Sequence, residues 1–162
     1  MKYCKKCVYP ISAVNLLIED DGICTSCKSF SGFEKISEDG WKKRKDKFFK
    51  LINEVKKDKS NYDCIIPVSG GKDSYFQTHV LVKEFNLKPL LVTYHGNNYL
   101  PEGDYNRDQM RHHFNADHII WGPSIDVLKK LNRICFKKMG DMNWQNHCGI
   151  FSAPIQVAVN FK

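Results

Sequence analysis

The 162-residue chain has no apolar run approaching the length of a membrane span, and its opening Met1-Lys2-Tyr3-Cys4 lacks the apolar stretch a secretory leader needs. These absences lead us to expect a cytoplasmic protein with no membrane span. No internal repeat and no low-complexity tract is visible, which excludes solenoid, propeller and compositionally disordered classes. A Walker A loop is also missing, because the one Gly-Lys pair, Gly71-Lys72, has no glycine at the required distance ahead of it.

What is present is enough for one α/β domain with a small appendage. Hydrophobic residues make up 42% of the chain, sufficient for a packed core. The net charge of +7 is uneven: residues 1–61 carry 14 Lys/Arg against 9 Asp/Glu, and most of the excess lies in Lys42 to Lys59. Such a segment attracts nucleic acid or another polyanion; the alternative, a solvated helix face, is the reading preferred here.

Seven cysteines are many for a reducing compartment, where they serve metal binding or catalysis rather than disulfides. Cys4-x-x-Cys7 and Cys24-x-x-Cys27 are separated by 16 residues. A two-residue gap turns both thiolates of a pair toward one ion, and two pairs make the tetrahedral sulfur cage that zinc prefers. Cys4, Cys7, Cys24 and Cys27 are therefore the expected ligands of a structural Zn²⁺, with an iron–sulfur cluster as the rival occupant. Cys64 and Cys135 read as small core residues, while Cys148 follows His147 in a Gly-flanked loop.

Three segments follow from this pattern: a Cys4 module at 1–30, a linker and basic amphipathic helix at 31–61, and an α/β domain at 62–162. Ser31 to Gly40 reads as the linker and Trp41 to Lys57 as the helix. Strands are expected at Asp63–Val68, Pro89–Tyr94 and His118–Trp121. Helices are expected at Tyr75–Phe85, Asp104–Phe114, Ser124 to about Met139, and from Phe151 onward, with loops at His95–Gly103 and around Gly140 and Gly149. The alternation predicts an incomplete doubly wound parallel sheet, with Asp63–Val68 left as a bare apolar edge. From that edge, and from a chain stopping in a helix, we expect a fragment of a longer protein or completion by another chain.

Between the first strand and its helix stands Ser69-Gly70-Gly71-Lys72-Asp73-Ser74. Two glycines let the backbone approach a ligand, and amides at the following helix N-terminus face an anion. Ser69 and Ser74 add hydroxyls, Lys72 a point charge, and Asp73 a cap or a cation ligand. The loop suits a pyrophosphate group.

SGGKDS after an apolar strand resembles the signature of PP-loop ATP pyrophosphatases. That resemblance implies a HUP-type fold and attack at the α-phosphate of ATP with Mg²⁺, giving AMP and pyrophosphate. It implies that Ser69, Gly70, Gly71, Lys72, Asp73 and Ser74 hold the phosphates, and that Thr93-Tyr94 approach the adenine. The opening Cys4-Lys5-Lys6-Cys7-Val8-Tyr9-Pro10, the second pair Gly22-Ile23-Cys24, and the late stretch His147-Cys148-Gly149-Ile150-Phe151 with Pro154 to Val159 resemble N-acetyl sugar amidotransferases of surface-polysaccharide biosynthesis. Members of that family are longer. The implied reaction converts an acetamido group of a sugar, possibly nucleotide-linked, to an acetamidino group, with ammonia from a separate glutaminase subunit. No glutaminase signature is present in this chain.

Lys72 and Asp73 are the expected catalytic groups of the loop. His147 is the candidate reacting or substrate-contacting side chain, set against the alternative of a loop-stabilising histidine; Cys148 and Asp141 are weighed the same way. His112-His113 reads as solvated. Two rival readings stand beside the amidotransferase: a tRNA-modifying PP-loop enzyme (a thiolase or lysidine-type ligase) and a non-catalytic zinc and nucleotide-binding module. No basic–aromatic platform for a splayed base supports the first, and the intact SGGKDS argues against the second.

Overall fold

The computed structural model describes residues 2–13, 15–57, 60–96 and 99–161. Asn97 and Asn98 of the expected loop, and Lys59 at the end of the basic segment, lie outside them. The chain divides into two compact units, Met1–Leu51 and Ile52–Lys162.

In the first unit, isolated antiparallel bridges join Tyr3 to Pro10 and Ile18 to Cys24. Helix α1, Thr25–Glu34, follows, and helix α2, Glu38–Val55, runs across the boundary between the units. The expected linker at 31–40 is thus corrected: only residues 35–37 separate two helices. Ser37 stops the chain from bending away, since its Oγ accepts from the Gly40 amide at 3.2 Å. Glu38 and Asp39 in the first turn suit the positive end of the helix dipole.

The second unit is mixed α/β with a three-stranded parallel sheet in the order β1-β2-β3. The strands are β1, Cys64–Pro67; β2, Pro89–Tyr94; and β3, Asp117–Trp121. Register pairs Cys64 with Pro89, Leu90 with Asp117, and Tyr94 with Trp121. Every residue of β2 is buried, as a near-continuous apolar run covered on both faces requires. Among the described residues β1 has a neighbour on one side only.

Helix α3, Lys72–His79, passes into a π-turn at Val80–Glu84, and helix α4, Pro101–Phe114, opens with proline at its first position. Both precede expectation by three residues, so Lys72, Asp73 and Ser74 belong to a helical first turn rather than to the loop. Helix α5, Ile125–Met139, ends at Gly140 with φ +71°. Helix α6, Trp144–Asn160, begins well before Phe151. His147, Cys148 and Gly149 are therefore helical, correcting the expected loop.

One face of the sheet carries the core of Ile66, Val68, Leu91, Met110 and Phe114. Alternation puts Val92 and Tyr94 on the other face, where α6 packs against β1 and β2. The carboxyl ends of β1 and β2 meet the N-terminus of α3, and that corner holds the phosphate-loop motif.

Candidate functional site

The four Sγ atoms of Cys4, Cys7, Cys24 and Cys27 all lie within 4.8 Å of one another. Cys7 and Cys24 are 3.7 Å apart, and Cys4 and Cys27 are 4.0 Å apart. Ligands about 2.3 Å from a tetrahedral zinc sit ~3.8 Å from each other, so the spacing fits one ion. A polynuclear iron–sulfur cluster spreads its thiolates over several irons and needs a wider ring. The four cysteines can hold a single metal ion such as zinc, and they fill every position of its coordination sphere.

Local backbone builds this cage. Val8, at φ +60°, turns the first pair back so that its amide donates to the Cys4 carbonyl at 2.9 Å. The Lys5 amide donates to the Gly22 carbonyl at 3.0 Å and ties the two halves together. Gly22 suits that turn, since its φ of +80° lies in backbone that L side chains rarely adopt. Amides of Lys6 and Cys24 point at Cys4 Sγ at 3.4 and 3.3 Å, and the Cys27 amide points at Cys24 Sγ. Backbone donors, that of Cys7 foremost, lower the Cys4 thiol to about 6. Cys27 is pushed up to about 12 by its hydrogen bond with the Cys7 side chain.

At the second site, the Ser69 amide donates to Ser74 Oγ at 3.0 Å, and the two hydroxyl oxygens are 3.2 Å apart. These bonds close the loop across its base. Gly70 has φ +83°, and a Cβ there would stand 3.1 Å from the Arg107 amide nitrogen and 3.2 Å from the Gly103 oxygen, so α4 presses on the loop. Gly71 is the N-cap of α3 and supplies no side-chain cap. First-turn amides of α3 therefore lack the capping acceptor that would satisfy them, the arrangement that binds anions. Lys72 and Asp73 pair with each other at 2.7 Å, both 91% exposed.

A cleft of about 300 Å³ adjoins the loop, lined among others by Ser69, Ser74, Tyr94, Tyr99, Ile150 and Pro154. Pro154 stands inside α6 and lacks the N–H that would bond the Ile150 carbonyl. Tyr99, Ile150 and Pro154 were not among the expected site residues. Of the three, only a proline in a helical pattern leaves a trace in sequence.

Thr93 and Tyr94 separate. Thr93 is buried, its hydroxyl donating to the Val68 carbonyl at 2.6 Å and lying 2.9 Å from His118 Nε2. Tyr94 turns to the α6 face, lines the cleft, and donates to Gln145 Oε1 at 3.1 Å. Gln145 in turn donates to Asn132 Oδ1 at 2.9 Å, a buried polar chain that sequence patterning missed.

Asp141, His147 and Cys148 line a different, apolar groove of about 780 Å³ with Trp144, Phe151 and Ile155. The structure does not bring them to the phosphate loop. Cys64 is half-buried, and burial pushes its thiol up to about 11, the behaviour of an inert core cysteine. His112 and His113 are exposed, with His112 3.3 Å from Asp108. No helix among the described residues is long and apolar enough to cross a membrane.

No protein-family model matches the chain. It is 26% identical over 118 residues to Uncharacterized protein MJ1599 of Methanocaldococcus jannaschii. The match takes in 72% of this chain and 41% of that protein, so the chain spans about two fifths of the length of the relative it matches.

Proposed function

We propose that this chain is part of an ATP-dependent amidotransferase of the PP-loop kind, acting on an acetamido sugar in surface-polysaccharide biosynthesis, with a structural zinc at its four cysteines. The observation that carries the reading is the corner at Val68–Ser74: a glycine at φ +83°, an uncapped helix N-terminus and a cleft alongside, within the sequence SGGKDS. The parallel sheet is read as the HUP type.

The reaction joins the acetamido oxygen to the α-phosphate of ATP with loss of pyrophosphate, and ammonia then attacks the imidate carbon and displaces AMP. The residues of this chain have a positioning task. Amides at the start of α3 and the Ser69 and Ser74 hydroxyls hold phosphate oxygens. Lys72, exposed and held only by its surface pair with Asp73, swings to neutralise charge on the phosphates. In this reading the Asp73 carboxylate would share in binding Mg²⁺. Tyr94 and Tyr99 form an aromatic wall beside the loop, while Thr93 acts from beneath by holding the Val68 carbonyl. His147 has no role at this cleft. Ammonia comes from a separate glutaminase subunit.

The test is to incubate the full-length polypeptide with ATP, Mg²⁺, ammonium and either an acetamido sugar, free or nucleotide-linked, or tRNA, and to measure AMP. AMP formed only with the sugar, and lost in Lys72→Ala, is the expected result. AMP formed only with tRNA overturns the sugar assignment in favour of a tRNA-modifying enzyme. No AMP with either acceptor overturns the enzymatic reading and leaves a binding module.

A further inference from the structure

Arg107 is a nearly buried arginine, its side chain 8% exposed. Its Nη2 donates to Asp104 Oδ1, and its guanidinium carbon lies 4.5 Å from the centre of the Tyr99 ring. Its Nη1 is buried and has no hydrogen-bond partner among the described residues. An unsatisfied guanidinium nitrogen away from water is costly, and a native structure offers it an acceptor.

The same residue lines a cavity of about 240 Å³ between α4 and β3, with Asp104, Asp108, Arg111, His118 and Ile120. Asp104 and Asp108 are half-exposed and already engaged, Asp104 by Arg107 and Asp108 by Arg111 at 3.0 Å and His112 at 3.3 Å. His118 faces Arg107, Arg111 and Asp108 from α4 and Thr93 from β2. The Thr93 hydroxyl hydrogen is committed to the Val68 carbonyl, so the His118 Nε2–H donates to Thr93 and Nδ1 gains the proton when the ring charges. Burial first, then Arg107 and Arg111, hold His118 down at about 4.

We propose that the cavity between α4 and β3 binds a small oxyanion, a carboxylate or phosphate group, on the buried guanidinium of Arg107. A rotation of the guanidinium turns Nη1 to the anion, which supplies the acceptor it lacks and offsets the arginine charges that keep His118 neutral. Binding therefore strengthens as pH falls, with proton uptake at His118.

The test titrates the full chain at constant ionic strength with inorganic phosphate and, in a second arm, with sodium acetate, following the His118 ring by NMR. Saturation in at least one arm is expected, with the ring moving toward its charged form; the tighter arm tells phosphate from carboxylate. Arg107→Gln weakens binding by about tenfold or more, the scale of one charge-assisted hydrogen bond. Asp104→Asn releases Nη2 and removes a charge at the rim, so binding tightens, a gain that loss of folding cannot imitate. Lys72→Ala, an exposed change in the first turn of α3, leaves the His118 response intact. Linear, unsaturated shifts in both arms overturn the proposal. So does a folded Arg107→Gln protein that binds as the parent does, or an Asp104→Asn protein with no gain.

Discussion

Gly149 lies against the Tyr94 ring so closely that a Cβ on the glycine would stand 2.2 Å from Tyr94 Cζ. This contact lets α6 approach β2, and it brings Ile150 and Pro154 to the cleft beside the phosphate loop. It also explains a glycine in the interior of a helix, where the residue is otherwise unfavourable.

Gly149→Ala is expected to destabilise the second unit by about 1–3 kcal/mol, as overpacking of a close contact does. Thermal unfolding measures it. A second change, Tyr94→Leu, removes the opposing ring and recovers much of the loss. Additive losses in the double variant would show that the two residues are not in contact.

Gly70→Ala forces a side chain into left-handed backbone at φ +83° and against the backbone of α4. The conformational part alone costs about 1–2 kcal/mol. The melting temperature falls, and affinity for a non-hydrolysable ATP analogue falls with it in the full-length protein. Gly40→Ala serves as the control. Its backbone is helical, its Cβ position meets Ile36 Cγ2 at 3.0 Å and Ser37 Oγ at 3.4 Å, and analogue affinity stays unchanged.

Cys24→Ser removes one of four thiolate ligands while leaving a hydroxyl oxygen that can cap α1 and accept from the Cys27 amide. Metal content by elemental analysis is expected to fall from about one ion per chain to near zero. The first unit then loses protection of its amides from exchange, because a small metal module is folded largely by its ion. Full metal retention in Cys24→Ser would contradict the four-ligand, single-ion cage.

His118 makes stability depend on pH. Its folded value is about 4 against an ordinary 6.5, so between those values the unfolded chain binds more protons than the folded one. Stability is then greatest above the ordinary histidine range and declines as pH falls from about 6.5 toward 4. Allowing for partial exposure, the change is on the order of 1 kcal/mol. Denaturant melts across that range should show the decline in the parent and a shallower one in His118→Gln.

Strand positions were legible because a parallel sheet covered on both faces needs short continuous apolar runs, and Pro89–Tyr94 is such a run. Of the helix starts in the second unit, that of α5 was legible from its N-cap Ser124, but those of α3, α4 and α6 were not. The sequence Lys72-Asp73-Ser74 is polar and reads as loop, yet it forms the first turn of α3, since polar residues there leave the backbone donors open to a ligand. His147-Cys148-Gly149 read as loop because of its glycine, but the glycine serves the Tyr94 contact instead. Arg107 gave no signal at all: an arginine on a polar helix is ordinarily solvated, and only the fold over it buries the guanidinium.

Sequence by itself determined the four-cysteine set and the strand–loop–helix at Val68–Ser74, because both are governed by spacing along the chain, where covalent geometry limits what neighbours can do. Tertiary structure decided which side chains share a cavity. It turned Thr93 inward, set Tyr94 under α6, seated Tyr99 and Pro154 by the loop, and left His147 in another groove. Such sidedness depends on contacts between residues tens of positions apart, which no local pattern records.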